Sequence, residues 1–257
     1  MSGKYQTFEQ PLNERIRMCL RIETLMTRFH YFESLKGDWS AYSALSTILE
    51  LTALLGRGDF KQELIKELDR QHGALKGLSS LQNIDHRKLN LVLNQQQHAV
   101  ERMHKLNDKL GEYLKRDDFL LGIKQRMSLP GGSCDFDLPQ LRFWLNQAYD
   151  KRLSDLQEWV RPYRELEEVI VLILQVIRDS AADKTVVAEK GFYQESLDIK
   201  QPTQLIRISL DANVKYYPEI SAGKHRYSVR FMKLPTGEDI PPQVKEDVKF
   251  LLSRCVL

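Results

Sequence analysis

The sequence has few cysteines and no long apolar run, and each absence excludes a class of protein. Its three cysteines, Cys19, Cys134 and Cys255, lie far apart without a CxxC pair, which argues against a disulfide framework and a structural zinc site. The longest apolar run, residues 169–174, is far shorter than the about 20 residues that cross a bilayer. The N-terminus lacks a secretory signal pattern. We therefore expect a cytoplasmic protein with no metal and no membrane partner.

The motifs of nucleotide binding and catalysis are also missing. The chain has no GxxxxGK[ST], GxGxxG, GxSxG or HExxH sequence. Cys134 has no histidine near it in sequence to act as a base, and paired carboxylates such as Asp135 and Asp137 are common in extended segments. His98 and His104 fall on opposed faces of a helix. The sequence predicts a protein that is not an enzyme, with no catalytic residues, no cofactor and no small-molecule substrate.

The composition is that of a folded chain. Of 257 residues, 42% are hydrophobic and 28% are charged, and 38 Lys+Arg against 35 Asp+Glu give a net charge of +3. At about 100–200 residues per domain, this length predicts one or two domains. The nearly balanced charge argues against a protein that coats nucleic acid without specificity.

The first two-thirds of the chain have the apolar spacing of amphipathic helices. Pro11 is expected in the first turn of one helix, and Ser40, Asp59 and Asp85 are expected to cap the next three. Pro162 is expected to begin a new helical segment. The predicted helices cover residues 12–35, 41–55, 60–78, 86–116, a stretch opened by Pro139, and 152–180.

After Asp183 the pattern changes to the period of two that is typical of strands. In residues 225–234 we predict Tyr227, Val229, Phe231 and Leu234 as the mostly buried set. The predicted strands lie within residues 185–197, 205–213, 217–221 and 225–234, with another short strand at 134–138. The tail, residues 244–257, fits a helix and a strand equally well.

These patterns predict an α+β fold with a helical body and a mainly antiparallel β region. We expect a mainly helical domain over residues 10–183 and a β-rich domain over 184–257. Residues 117–149 are expected to be shared between the two, and residues 4–9 to join the β-rich domain.

The charge distribution predicts more about function than the net charge does. Residues 222–234 contain Lys224, Arg226, Arg230 and Lys233 and no acidic residue, a local charge of +4. Arg226 and Arg230 are four apart, so an extended strand puts both on one face with Lys224. Arg57, between two glycines, could complete a cationic groove. The alternative is a solvated sheet face whose arginines only keep the edge soluble.

Other arginines form weaker candidates. Arg17, Arg21 and Arg28 share one face of the first helix, where a salt-bridged surface, with Glu14 beside Arg17, is the simpler interpretation. Arg142 stands next to two aromatic residues and is interpreted as a rim residue over an apolar core.

Several segments together resemble the cell division protein ZapD family. They are FEQPLNERIRMCLRIE (8–23), ELIKELDRQ (63–71), SLPGGSCDFDLPQLRFWL (128–145), GFYQ (191–194) and YPEISAGKHRYSVRFM (217–232). The resemblance implies a helical domain that forms a homodimer and a β domain whose open, curved sheet forms a basic groove. It implies a non-catalytic adaptor that binds the C-terminal tail of FtsZ, the tubulin-like division GTPase, and bundles its protofilaments at the mid-cell division site.

The resemblance places tail binding at Arg57, Arg226 and Arg230. Lys224 and Lys233 join them on charge alone, and Arg21 and Arg142 lie in matching segments and are expected to assist bundling. The competing hypothesis is a nucleic-acid-binding module in which Tyr216, Tyr217 and Tyr227 stack on bases. A longer basic stripe than this one is usual for that function, so nucleic acid is the second choice.

Overall fold

The computed structural model describes residues 5–56, 59–80, 84–106, 112–127, 129–198, 200–235 and 241–257. Within these ranges the chain forms helices and two antiparallel sheets, which confirms the predicted α+β class. The helices are α1 (Glu14–Glu33), α2 (Asp38–Leu55), α3 (Phe60–Gly77), α4 (His86–Lys105), α5 (Asp118–Met127), α6 (Pro139–Leu145) and α7 (Tyr149–Asp179). The strands are β1 (Tyr5–Pro11), β2 (Lys184–Ala188), β3 (Phe192–Ser196), β4 (Thr203–Asp211), β5 (Tyr217–Ala222), β6 (Arg226–Met232) and β7 (Val248–Val256).

The chain divides into two compact units. The helical unit is Cys19–Ile173, and the β unit combines Met1–Met18 with Leu174–Leu257. Both divisions fall inside helices, in α1 and in α7. The predicted domains, residues 10–183 and 184–257, and the roles expected of them stay predictions.

Two of the predicted helix caps are confirmed. The Asp59 carboxylate accepts a hydrogen bond from the backbone N–H of Gln62 at the start of α3. The Asp85 carboxylate accepts from the N–H groups of Arg87 and Lys88 at 2.9 and 3.1 Å at the start of α4. In each case a carboxylate satisfies N–H groups that have no partner inside the helix, next to the positive end of the helix dipole.

The other two predicted starts are wrong. Pro11 is the last residue of β1, and α1 begins at Glu14, where the Asn13 side chain accepts from the N–H of Ile16 at 2.9 Å. Helix α2 begins at Asp38, two residues before Ser40. Pairing with the Arg152 guanidinium holds the Asp38 carboxylate in the first turn, a tertiary contact that local sequence does not show.

Helix α4 is shorter than predicted. It ends at Lys105, where Leu106 takes up extended backbone angles (φ −68°, ψ 146°). The predicted end of this helix, Glu112–Arg116, is a short 3-10 helix. Residues 107–111 lie outside the described part of the chain.

The strand predicted at residues 134–138 is also wrong. The segment folds into successive turns, in which the N–H groups of Asp137 and Leu138 both donate to the Cys134 carbonyl. Phe136 is consequently 85% exposed rather than on the inner face of a sheet. A Cβ at Gly132 would stand 2.2 Å from the Arg126 carbonyl oxygen, so the tight turn needs glycine there.

Pro162 lies inside α7 and does not begin a new helix, contrary to the prediction. Proline removes one hydrogen bond from a helix interior, but Val160 and Tyr163 on either side are fully buried. The Tyr163 hydroxyl lies 2.8 Å from Thr52 Oγ1 of α2, in the interior of the helical unit. Packing therefore outweighs the local preference of proline and keeps α7 continuous.

His30 of α1 lies between two carboxylates of the helical unit. Its Nε2 is 2.8 Å from Glu167 of α7, and its Nδ1 is 3.2 Å from Glu33. Burial alone lowers the pKa of His30, but the hydrogen bonds and charges of Glu33 and Glu167 outweigh it and raise the pKa above 6.5. Only the protonated ring donates to both carboxylates at once.

We expect this contact to make the helical unit less stable as the pH rises. Because the folded-state pKa of His30 is raised, its contribution is fully present below the unfolded value of about 6.5 and is lost as the pH passes the folded value. Urea unfolding should show wild type more stable than His30→Gln at pH 5.5, with a smaller difference at pH 8.5. An equal difference at both values would contradict the proposed protonation.

The β unit contains a four-stranded sheet of order β1-β4-β7-β2 and a three-stranded sheet of order β3-β6-β5. The tail left undecided by the sequence forms β7, whose central place between β4 and β2 supplies hydrogen-bonded neighbours on both edges. Lys190 and Gly191, with φ of 49° and 71°, make the tight turn between β2 and β3.

The two sheets pack face to face around one apolar cluster. Rings from both sheets meet there, with the centroids of Phe231 and Phe250 5.1 Å apart. The cluster consists of Ala188, Ile206, Ile208, Leu210, Tyr227, Val229, Phe231, Val244, Val248, Phe250 and Leu252. The β unit thus has its own core, which fixes one face of the three-stranded sheet and leaves the other to solvent.

Candidate functional site

Strand β6, at the centre of the three-stranded sheet, carries the two main candidate arginines. Tyr227, Val229 and Phe231 point into the core and are almost completely buried, while Arg226 and Arg230 alternate with them and are exposed. This confirms most of the predicted alternation. Leu234 was predicted with the buried set but is 75% exposed, because the strand ends at Met232 and the period of two ends with it.

The strand register defines what surrounds these arginines on the outer face. Arg230 lies opposite Phe192 of β3 and Glu219 of β5, and Arg226 lies opposite Ser196 of β3. At about 3.3 Å per residue, the two arginines stand about 13 Å apart along β6. We call this surface the arginine face; it consists of Phe192, Gln194 and Ser196 of β3, the even-numbered residues of β6, and Tyr217, Glu219 and Ser221 of β5.

Within the described part of the chain, the positive charge of the arginine face is not neutralised by ion pairs. Among the described residues, no acidic side chain forms an ion pair with Arg226, Arg230 or the exposed Lys224. Glu219 is the cross-strand neighbour of Arg230, yet the two do not pair. Two arginines on one sheet face and a lysine in the preceding turn, all without acidic partners among the described residues, favour an anionic ligand, and the two guanidinium groups favour carboxylates in particular.

The remaining predicted residues are placed differently. Lys233 Nζ lies 3.0 Å from Glu246, and this pairing lowers the pKa of the Glu246 carboxyl. Lys233 therefore offers less positive charge to a ligand than the two arginines do. Arg57, with Gly58, lies outside the described residues.

Arg21 and Arg142 belong to the helical unit. Arg142 Nε lies 3.6 Å from Asp135, and both side chains are more than half exposed. On the first helix, Arg17 pairs with Glu14 and Arg28 with Glu50, which agrees with the simpler interpretation of a salt-bridged surface. The exposed Arg21 lies between them in sequence.

A polar network behind the arginine face was missed by the sequence analysis. The Glu195 carboxylate accepts hydrogen bonds from the hydroxyls of Tyr227 at 2.6 Å and Tyr193 at 3.1 Å. It also pairs with Arg254 of β7 at 3.2 Å, which connects the two sheets. The alternation in GFYQES was the available signal, since it puts Tyr193 and Glu195 on the same, inner side of β3.

This network keeps both tyrosines as hydrogen-bond donors. Burial is the largest cause of the raised pKa of Tyr227 and of Tyr193, and the nearby Glu195 charge raises both further. The hydroxyls stay protonated at neutral pH and hold the carboxylate in place.

The tyrosines proposed for base stacking are mostly unavailable. Tyr227 is buried, and Tyr216 packs edge-on against Phe231 with ring centroids 5.9 Å apart. Tyr217 alone of the three belongs to the arginine face. The face therefore lacks the row of exposed aromatic side chains on which single-stranded nucleic acid stacks.

Two kinds of site are absent from the described residues. They contain no group of three or more histidine, cysteine, aspartate or glutamate side chains that could hold a metal ion. None of their helices is both long enough and apolar enough to cross a membrane.

The fold and the site together define an α+β protein of two units, with an exposed arginine face on the three-stranded sheet of the β unit. The family model described as "ZapD: Cell division protein" matches residues 20–230. Over 250 residues the chain is 38% identical to "Cell division protein ZapD" of Methylococcus capsulatus, covering 97% of this chain and 98% of that protein.

Proteins of the same name in two other organisms are similarly related. The chain is 34% identical to that of Coxiella burnetii over 250 residues, with 97% of each chain covered. It is 35% identical to that of Nitrosomonas eutropha over 251 residues, covering 97% of this chain and 99% of the relative. The chain belongs to the ZapD family of cell division proteins, and its role is in cell division.

Proposed function

We propose that this protein is a non-enzymatic adaptor of cell division. As a homodimer in the cytoplasm it binds the C-terminal tail of FtsZ and cross-links FtsZ protofilaments at mid-cell, which promotes assembly of the Z-ring and septum formation. Tail binding is assigned to Arg226, Arg230 and Lys224, with Arg57 included on the resemblance and Lys233 in a lesser role. Arg21 and Arg142 are assigned to bundling.

The arginine face is the observation that supports the proposal. Arg226 and Arg230 project from a rigid central strand, about 13 Å apart, without acidic partners in the described chain. An acidic peptide supplies the missing carboxylates, and each guanidinium can hold one through two parallel hydrogen bonds. The family's role in cell division supports a division protein as the source of that peptide.

Dimerisation would provide the two binding sites that cross-linking requires. A two-fold dimer presents two identical sites at a fixed separation. A polymer that repeats its tail along its length then binds the dimer more tightly than a single tail does, because the second contact is intramolecular. Sedimentation at micromolar concentration should give a mass of twice 30.0 kDa, and a species of 30.0 kDa would remove the basis for cross-linking.

Co-sedimentation with FtsZ polymers tests the proposal directly. We expect the protein to pellet with full-length FtsZ and to remain in the supernatant with tail-deleted FtsZ. Bound protein should fall as salt rises, since ion pairs at an exposed face are screened. Equal pelleting with both forms of FtsZ would contradict tail binding, and tight binding to DNA in a gel-shift assay near physiological salt would favour the nucleic-acid hypothesis.

A further inference from the structure

Strand β3 has a free backbone edge next to the arginine face. The N–H of Leu197 donates to the His225 carbonyl, and the N–H of Phe231 donates to the Gly191 carbonyl. In an antiparallel ladder alternate residues bond to the same neighbour. Residues 193 and 195 of β3 therefore direct their backbone groups towards β6, and the N–H and C=O groups of Gln194 and Ser196 point away from it.

No described strand occupies that outer side of β3. Strand β2 runs into the turn before β3 but pairs with β7, and its link to β3 is a single bridge between Glu189 and Phe192. The N–H of Phe192 is used by the Glu189 carbonyl. Gln194 and Ser196 are exposed, and no described backbone group bonds to the edge of β3 beyond Phe192.

The opposite edge of the same sheet is protected. The N–H of Gly223 donates to the Arg226 carbonyl, so residues 217, 219 and 221 of β5 bond to β6. The outward backbone groups belong to Pro218, Ile220 and Ala222. Pro218 has no N–H to offer, and proline on an edge strand is a common protection against strand pairing. Strand β3 has no such protection within the described chain.

The side chains beside the β3 edge suit an acidic, partly apolar peptide. Phe192, which is 39% exposed, is the apolar residue of β3 on the arginine face, and Gln194 and Ser196 are uncharged. A strand added to β3 would lie two strands from β6, a distance of about 9.6 Å. An arginine side chain and a glutamate or aspartate side chain together span that gap, from Arg226 across Ser196 and from Arg230 across Phe192, so carboxylates on the added strand meet Arg226 and Arg230.

We propose that β3 binds an extended acidic peptide as an additional strand of the three-stranded sheet. Backbone hydrogen bonds to Gln194 and Ser196 fix the peptide's path, and Arg226 and Arg230 read carboxylates four residues apart on it. An apolar side chain of the peptide packs on Phe192. The inference rests on the proposed function, because it takes this peptide to be part of the partner's acidic tail.

Gln194→Pro tests the role of the backbone. Proline removes an N–H that points away from β6, so the ladder between β3 and β6 keeps its bonds. We expect affinity for a synthetic peptide of the FtsZ tail to fall at least about tenfold, since a lost hydrogen bond and a steric clash combine. The matched control, Gln194→Ala, removes the side chain, keeps the N–H, and should bind within about twofold of wild type.

Amide hydrogen exchange on the wild-type chain gives a second readout that needs no variant. Saturating peptide should slow exchange at Gln194 and Ser196 at least about tenfold, with little change at Tyr193 and Glu195, which already bond to β6. If the peptide binds but these two amides exchange as before, strand addition is wrong and the proposed function stands. If wild type does not bind the peptide at all, both are wrong.

Discussion

Arg230→Glu is expected to weaken binding of an FtsZ-tail peptide about 10- to 100-fold. The substitution removes a charge-assisted hydrogen bond, a contribution of about 1.5–3 kcal/mol, and adds repulsion towards the acidic ligand. The fold should not change, because Arg230 is exposed and makes no ion pair in the described chain. A peptide titration measured by fluorescence anisotropy gives the affinity, and far-UV circular dichroism checks the fold.

A matched charge reversal separates the arginine face from the general charge of the protein. Lys249→Glu makes the same change in charge at an exposed position of β7, in the four-stranded sheet. It should bind within about twofold of wild type, because a solvent-exposed charge outside the binding face is largely screened. Arg226→Glu should resemble Arg230→Glu. Lys233→Glu should have a smaller effect, since Glu246 already neutralises that lysine. Wild-type affinity in both arginine variants would rule out the arginine face as the binding site.

Phe231→Ala, one residue along the same strand, should instead reduce the stability of the β unit. Phe231 is fully buried between the rings of Phe250 and Tyr216, whose centroids lie 5.1 and 5.9 Å away. Truncation of such a ring costs about 3–5 kcal/mol, which combines the lost burial with the cavity left behind. We expect that loss in the urea unfolding of the β unit, followed through the near-UV signal of its tyrosines.

An exposed phenylalanine provides the control for this loss. Phe143 is 72% exposed on α6, and Phe143→Ala should change the free energy of unfolding by no more than about 0.5 kcal/mol. The two units can unfold in separate transitions, so each is fitted by itself. A Phe231→Ala protein as stable as wild type would contradict the packing of the two sheets around this ring.

Features decided by local sequence were predictable, and features decided by tertiary contact were not. The alternation along β6 and the caps at Asp59 and Asp85 depend on neighbours within a few residues. The first turn of α2 contains Asp38, which pairs with Arg152, a residue distant in sequence. Pro162 lies in a continuous α7 whose neighbouring Tyr163 is buried against α2. Neither contact can be predicted from the spacing of residues along the sequence.

The candidate site likewise combines features that local sequence predicts with features that depend on tertiary contacts. The arginines were predictable because their spacing and the absence of nearby acidic residues are visible in the sequence. The free edge of β3 was not, because its exposure depends on β2 turning away to pair with β7. The ion pair between Glu195 and Arg254 was likewise not predictable, because only the packing of the two sheets brings these residues within 3.2 Å.

The strict alternation of β6 also has an evolutionary consequence. Odd-numbered positions of the strand face the core, and even-numbered positions form the outer face that we propose as the binding surface. Substitutions at Arg226, Ser228 or Arg230 can therefore follow changes in a partner's acidic segment while the stability of the β unit is preserved. Insertion of a single residue would exchange the two faces, exposing the aromatic rings and burying the guanidinium groups, so recognition and folding would be lost together. Substitutions in this strand can therefore change binding specificity, whereas insertions or deletions cannot do so without loss of the fold.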